Sequence, residues 1–205
     1  MPFSDGEPRS PRAKTGDEPF LHGGRRLGPD LREFWSWASS DLIGNAMRGV
    51  LAEYVVGLAL GCLHGGPRQE WDAADLRTRD GIRVEVKSSA YLQSWQQRRP
   101  STLVFDIRPT TGWDATTNTF ATERKRQADV YVFSVFTATD RAVADPLDLD
   151  QWDFYVMSTD RLNDAVGEQK SIRLTSLLRH APRECDFGGL AAAVHAESPG
   201  APGTP

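Results

Sequence analysis

The sequence predicts an α/β domain with a mixed central β-sheet flanked by helices, and three stretches predict it. Asp129-Val130-Tyr131-Val132-Phe133-Ser134-Val135-Phe136 is nearly unbroken apolar and β-branched material, the pattern of an interior strand covered on both faces. Ile82-Arg83-Val84-Glu85-Val86-Lys87-Ser88 alternates apolar with charged residues, the period of a half-buried strand. Leu42 to Leu63 is apolar all round when projected as a helix, which implies packing on both sides. Strands of two burial types with a buried helix beside them give a layered sheet-and-helix architecture.

A chain of 205 residues is large enough to bury a core without metal or disulfide staples. Its 25% charged and 39% hydrophobic content is that of a soluble globular protein and excludes fibre and membrane classes. The apolar run Gly49–Leu63 is broken by Glu53 and too short to span a bilayer, and no basic-then-apolar signal opens the chain, so the cytoplasm is the expected location. Cys62 and Cys185 have no metal-ligand spacing around them and are expected to be reduced and structural. The net charge of −4 makes no general case for a nucleic-acid partner. Its distribution does more: Arg68–Arg126 holds 11 Lys/Arg against 8 Asp/Glu, and Gln127–Val166 holds 2 against 8. Such segregation permits a local positive surface on an acidic protein.

In chain order, residues 1–29 are rich in Pro and Gly without apolar period and predict a disordered arm. A single domain is expected over 30–181, and a mostly disordered tail over 182–205. Asp30, with Glu33 three positions on, makes a capping box for a short helix through Trp35 and Trp37. In the following helix Ala46, Gly49, Glu53, Gly57 and Leu60 form one stripe. Glu53 sits among small residues, and a carboxylate there is costly unless it meets a cation or donors. A strand around Trp71–Thr78, the Asp80-Gly81 turn and the Ile82–Ser88 strand make a hairpin. Ala90–Gln97 is helix-forming material, Ser101–Ile107 a strand, Arg108–Asn118 a Thr/Gly-rich loop around Trp113, and Glu123–Arg126 a short basic helical piece. Thr137–Gln151 is an acidic loop, Trp152–Met157 and Ser171–Leu174 are strands, and Ser176–His180 is helix-like.

The hairpin carries the chemistry. Glu85 and Lys87 share a face, and an acid from the preceding strand folds back beside Glu85. A carboxylate pair with a lysine supplies hard oxygen ligands for Mg²⁺ and a cation for charge that develops on a phosphate. Two acids compete for the partner position. A strict two-residue turn sets Glu85 opposite Leu76 and turns Asp75 to the other face, which leaves Asp72 as a rival. A three-residue loop with a bulge brings Asp75 onto the face of Glu85.

Helix with a lone Glu, strand with Asp, then Glu-x-Lys on the next strand, followed by Ser88-Ser89-Ala90 and an interior strand: in that order the elements, over roughly Leu42–Phe136, resemble the PD-(D/E)XK nuclease superfamily. The resemblance implies a restriction-endonuclease-like core and a Mg²⁺-dependent nuclease, with Mn²⁺ as an alternative ion and DNA as substrate, and it is compatible with a homodimer. It assigns Asp75, Glu85 and Glu53 to the metal and Lys87 to the attacking water and phosphate. Asp75 departs from the superfamily pattern in following Ala74 rather than Pro. Gln93 is a further candidate for a phosphate or ligand-water contact. Arg124, Lys125 and Arg126, with Arg98 and Arg99, are candidates for phosphate-backbone contacts, and Trp113 for stacking on a base. The competing reading is a non-catalytic nucleic-acid or protein interaction module on the same fold. None of the four histidines stands in a triad or metal-ligand pattern.

Overall fold

The computed structural model describes residues 12–63, 66–68, 73–114 and 119–200, with the backbone alone at 113–114 and 119–122. The chain divides into two compact units, Met1–Ser40 with Leu63–Gln69, and Asp41–Cys62 with Glu70–Pro205.

In the smaller unit β1 (Pro19–His22) and β2 (Arg25–Asp30) form an antiparallel hairpin. Gly23 and Gly24 take φ of 57° and 76° at its turn, which side chains other than glycine rarely adopt. The expected disordered arm is therefore ordered from Pro19 on: its glycines serve a turn. The helix α1 (Leu31–Ser39) starts as the capping box requires, with Glu33 N donating to Asp30 Oδ1 and Asp30 N to Glu33 Oε2, both at 3.0 Å.

The larger unit is built on a mixed five-stranded sheet. Its strands are β3 (Leu76–Arg77), β4 (Arg83–Ala90), β8 (Val130–Phe136), β9 (Trp152–Ser158) and β11 (Arg183–Cys185), in the order β11-β9-β8-β4-β3. Only β4 and β8 run parallel. All seven residues of β8 are buried, as an interior strand between two apolar layers must be. One layer is α2 (Asn45–Ala59) and α5 (Leu190–Glu197), which pack Ala52, Val55, Val56, Leu190 and Val194 on Val84, Val86, Val130 and Val132. The other holds α3 (Thr159–Val166), α4 (Leu174–Leu177) and the small sheet of β5 (Val104–Asp106) with β10 (Ser171–Arg173), against Tyr131, Phe133 and Val135. This is the mixed sheet flanked by helices that the sequence predicts.

Several local expectations are corrected. Helix α2 buries one side only, since Tyr54 and Leu58 are exposed. Of the helix expected over Ala90–Gln97, Ala90 ends β4 and the rest is a loop pinned by side chains: Gln97 donates to Tyr91 O at 3.1 Å and to Ser101 Oγ at 2.9 Å. The loop expected around Trp113 and the basic helical piece after it form a second hairpin, β6 (Thr110–Asp114) with β7 (Thr119–Lys125). The tail also contributes structure, because β11 and α5 complete the sheet edge and the core. Residues 1–11 and 201–205, for which disorder is expected, lie outside the described residues.

Candidate active site

The hairpin between β3 and β4 sets the register on which the site depends. Arg79-Asp80-Gly81 is a three-residue loop closed by Thr78, whose N donates to Ile82 O at 3.0 Å and whose Oγ1 accepts from Ile82 N at 2.9 Å. Gly81 takes φ of 93°. The observed partners are Leu76 with Val84 and Arg77 with Arg83, not the pairing of a strict two-residue turn. The ladder ends at Leu76, and Asp75 just before it comes next to Glu85 through its carboxyl, which accepts from the Val86 N–H. The three-residue loop was anticipated and brings Asp75 to Glu85, but the pairing of β3 with β4 runs without the expected bulge. Asp72 lies outside the described residues.

On β4 the alternation turns Val84 and Val86 toward α2 and Glu85, Lys87 and Ser89 toward β5. Lys87 Nζ pairs with Glu85 Oε1, both side chains about three-quarters buried. Asp75 accepts a hydrogen bond at 2.8 Å from the backbone N–H of Val86. Its carboxyl is pushed up to about 7, first by partial burial, then by the charge of Glu85 and that of Glu53, against the opposing pull of the Val86 N–H and Lys87. Three acids and one lysine thus share an electrostatic neighbourhood at the β3 edge of the sheet. Glu53 enters it from α2, although the body of that helix packs on the opposite face of the sheet from Glu85. Among the described residues no three Asp, Glu, His or Cys side chains already stand together as a metal-binding group.

The expected phosphate-binding residues divide. Arg98, Arg99, Arg124 and Lys125 are exposed. Arg126 is buried at 6% exposure and donates to Ile107 O at 2.9 Å, Asn163 Oδ1 at 2.5 Å, Gly167 O at 2.9 Å and Gln169 O at 3.0 Å. It ties three loops together, so its nucleic-acid role is withdrawn. Arg126→Ala would leave those carbonyls without a donor and should destabilise the protein by about 3 kcal/mol, measured as a lower urea midpoint, without touching the charge of the outer surface. Gln93 is corrected too: it is a buried residue of the loop after β4, with Nε2 donating to Ala90 O at 3.1 Å. Trp113 is on β6, and its side chain is outside what the structure describes.

A groove of about 800 Å³ opens at the beginning of β4 and β8, away from Asp75 and Lys87 along the strands. Its arginines are engaged within the fold, Arg83 with Asp129 at 2.5 Å and Arg161 with Glu197 at 2.9 Å. Sequence reasoning missed Tyr131, which the parallel pairing sets beside Glu85. No signal within one strand reveals its neighbour, because parallel partners are joined through a distant crossover.

No curated protein matches the chain. The model of the bacteriophage T4 endonuclease IV family matches residues 34–175, well over half of the sequence and a span that includes Glu53, Asp75, Glu85 and Lys87. The chain belongs to the bacteriophage T4 endonuclease IV family, a family of nucleases.

Proposed function

We propose that this protein is a divalent-metal-dependent DNA endonuclease of the PD-(D/E)XK type. The observation that supports the reading best is the Asp75 carboxyl, held by the Val86 N–H and pushed up by burial and by the charge of Glu85, with the Lys87 ammonium on the Glu85 carboxylate. The donor set fits a hard cation: ionised carboxylates are acceptor-only, and Asp75 is repelled by both Glu85 and Glu53 in a half-buried site that a divalent ion would neutralise. Internal cutting is the activity named in the family's description.

In this reading Asp75, Glu85 and Glu53 hold Mg²⁺. Bound there, the ion supplies Lewis-acid activation of water and phosphate. The Val86 N–H fixes one oxygen of Asp75 and leaves the other free of that bond. Lys87 leaves Glu85 for the substrate and meets the negative charge that builds on the phosphate. Arg98, Arg99, Arg124 and Lys125 contact the backbone on either side, each contributing roughly one unit of salt slope.

The test is to incubate the protein with circular and linear, single- and double-stranded DNA in Mg²⁺, Mn²⁺ or a chelator. Cleavage of a circle that requires the divalent ion is expected. Equal cleavage with chelator present, or degradation from ends alone, would overturn the reading, and binding without any cleavage would favour the interaction module.

A further inference from the structure

The groove of about 800 Å³ lies where β4 and β8 begin and β9 ends, and arginines from three elements line it: Arg83 of β4, Arg161 of α3 and Arg183 of β11. With Lys125 of β7 and the buried Arg126, its walls hold five cations against three acids, Asp129, Asp160 and Glu197. The groove is therefore locally positive on a chain whose net charge is −4.

Two of the acids are committed to the fold, with side chains only 18% and 7% exposed. Asp129 accepts from Arg83 N at 2.9 Å, from its Nε at 3.2 Å and from its Nη2 at 2.5 Å. Glu197 accepts from Ser158 N at 3.1 Å and, with both oxygens, from Arg161 Nη1 at 2.9 Å. Arg161 is used up in turn, since its Nη2 donates to the carbonyls of His180 and Ala181. The third acid, Asp160, is exposed. A guanidinium carries five N–H donors in one plane, so an acid that grips one edge fixes the direction of the rest. Among the described residues Arg83 Nη1 has no acceptor and the Lys125 ammonium no partner. Arg183 meets only Glu197, at 3.8 Å, too long for a hydrogen bond.

Unused N–H donors along a locally positive groove suit a ligand that only accepts, and guanidinium forks match phosphate oxygens. Position narrows the ligand further. Arg83 shares its face of β4 with Glu85 and Lys87. It stands four residues from Lys87, about 13 Å along the strand, a span that holds about four phosphates of one duplex strand. We propose that the groove seats nucleic-acid phosphates beyond the scissile one, with Arg83 and Arg183 supplying N–H donors and Lys125 a further cation. This rests on the nuclease reading above and extends it: a strand whose phosphate meets Lys87 continues along β4 into the groove.

The experiment measures binding of labelled single-stranded and duplex DNA by the full chain across a salt series, in chelator so that no cutting intervenes. Wild type is compared with Arg183→Gln, which removes the charge, and Arg183→Lys, which returns it. The Gln variant should bind DNA about three- to tenfold more weakly, with a salt slope lower by roughly one unit, and the Lys variant should recover the slope. Mn²⁺ affinity should stay within about twofold. A merely structural arginine would lower the melting temperature without changing the slope, so an unchanged slope in the Gln variant would overturn the proposal. A nucleoside monophosphate is the second probe and should bind at least roughly 100-fold more weakly than DNA, because it lacks the linked contacts of a strand. Binding as tight as that of DNA, and dependent on Arg183, would make the ligand a free phosphate ester and overturn the assignment to nucleic acid. If wild type shows the Arg183-dependent slope but cuts no DNA with any divalent ion, the nuclease reading fails and the groove stands. If it cuts and the slope ignores Arg183, the groove alone is wrong.

Discussion

Lys87→Ala should slow DNA cleavage by on the order of 100-fold or more while leaving divalent-metal affinity in place. The lysine is about three-quarters buried and paired with Glu85. Charge placed in a partly desolvated site acts on the transition state more strongly than it would in water. The carboxylates that would hold the metal do not include it, so a metal titration separates the two effects. In the metal-free variant Glu85 loses its partner and the carboxylate repulsion grows, so metal affinity should rise slightly if it moves at all. Glu85→Gln should behave differently, losing metal affinity together with cleavage. If Lys87→Ala cuts as fast as wild type, the Glu-x-Lys spacing is only strand alternation.

Asp75→Asn should abolish cleavage and yet stabilise the metal-free protein. The folded carboxyl is raised from 3.8 to about 7, so between those values the folded state keeps a proton that the unfolded chain has released. Stability from this group is therefore greatest in acid and falls as pH rises through that window, levelling off above it. Asparagine carries no such penalty, and its side-chain oxygen can still accept from the Val86 N–H. At pH 8 in chelator the variant should be more stable by about 2 kcal/mol, read as a higher melting temperature, and the gap should close below pH 4. Such a trade of stability for function is expected where like charges are gathered for chemistry. A variant less stable than wild type at pH 8 would show that the aspartate is favourably held in the metal-free fold, against this account. Arg126→Ala, by contrast, costs stability at every pH, because its partners are uncharged.

What the sequence revealed and what it hid follow from the range of the interactions involved. β8 was legible because two-sided burial leaves its mark on every residue of one strand, and the α1 cap because Asp30 and Glu33 are three positions apart. The Glu85 and Lys87 pairing was legible for the same local reason. Register was not, since it depends on how Thr78 closes the loop onto Ile82, and a change of one residue moves Asp75 between faces. Propensity misled at Ala90–Gln97, where Gln97 bonds the loop to itself in place of a helix ladder. Arg126 looked like surface charge beside Arg124 and Lys125, but the carbonyls that hold it come from residues about forty positions away.

The most direct test is to locate the metal. A crystal grown with Mn²⁺ and examined for anomalous scattering should show an ion bound by Asp75 and Glu85 at about 2.0–2.3 Å from their oxygens, with Glu53 facing it and Lys87 turned away from Glu85. An ion bound elsewhere, or none at these carboxylates in a preparation that cuts DNA, would contradict the account.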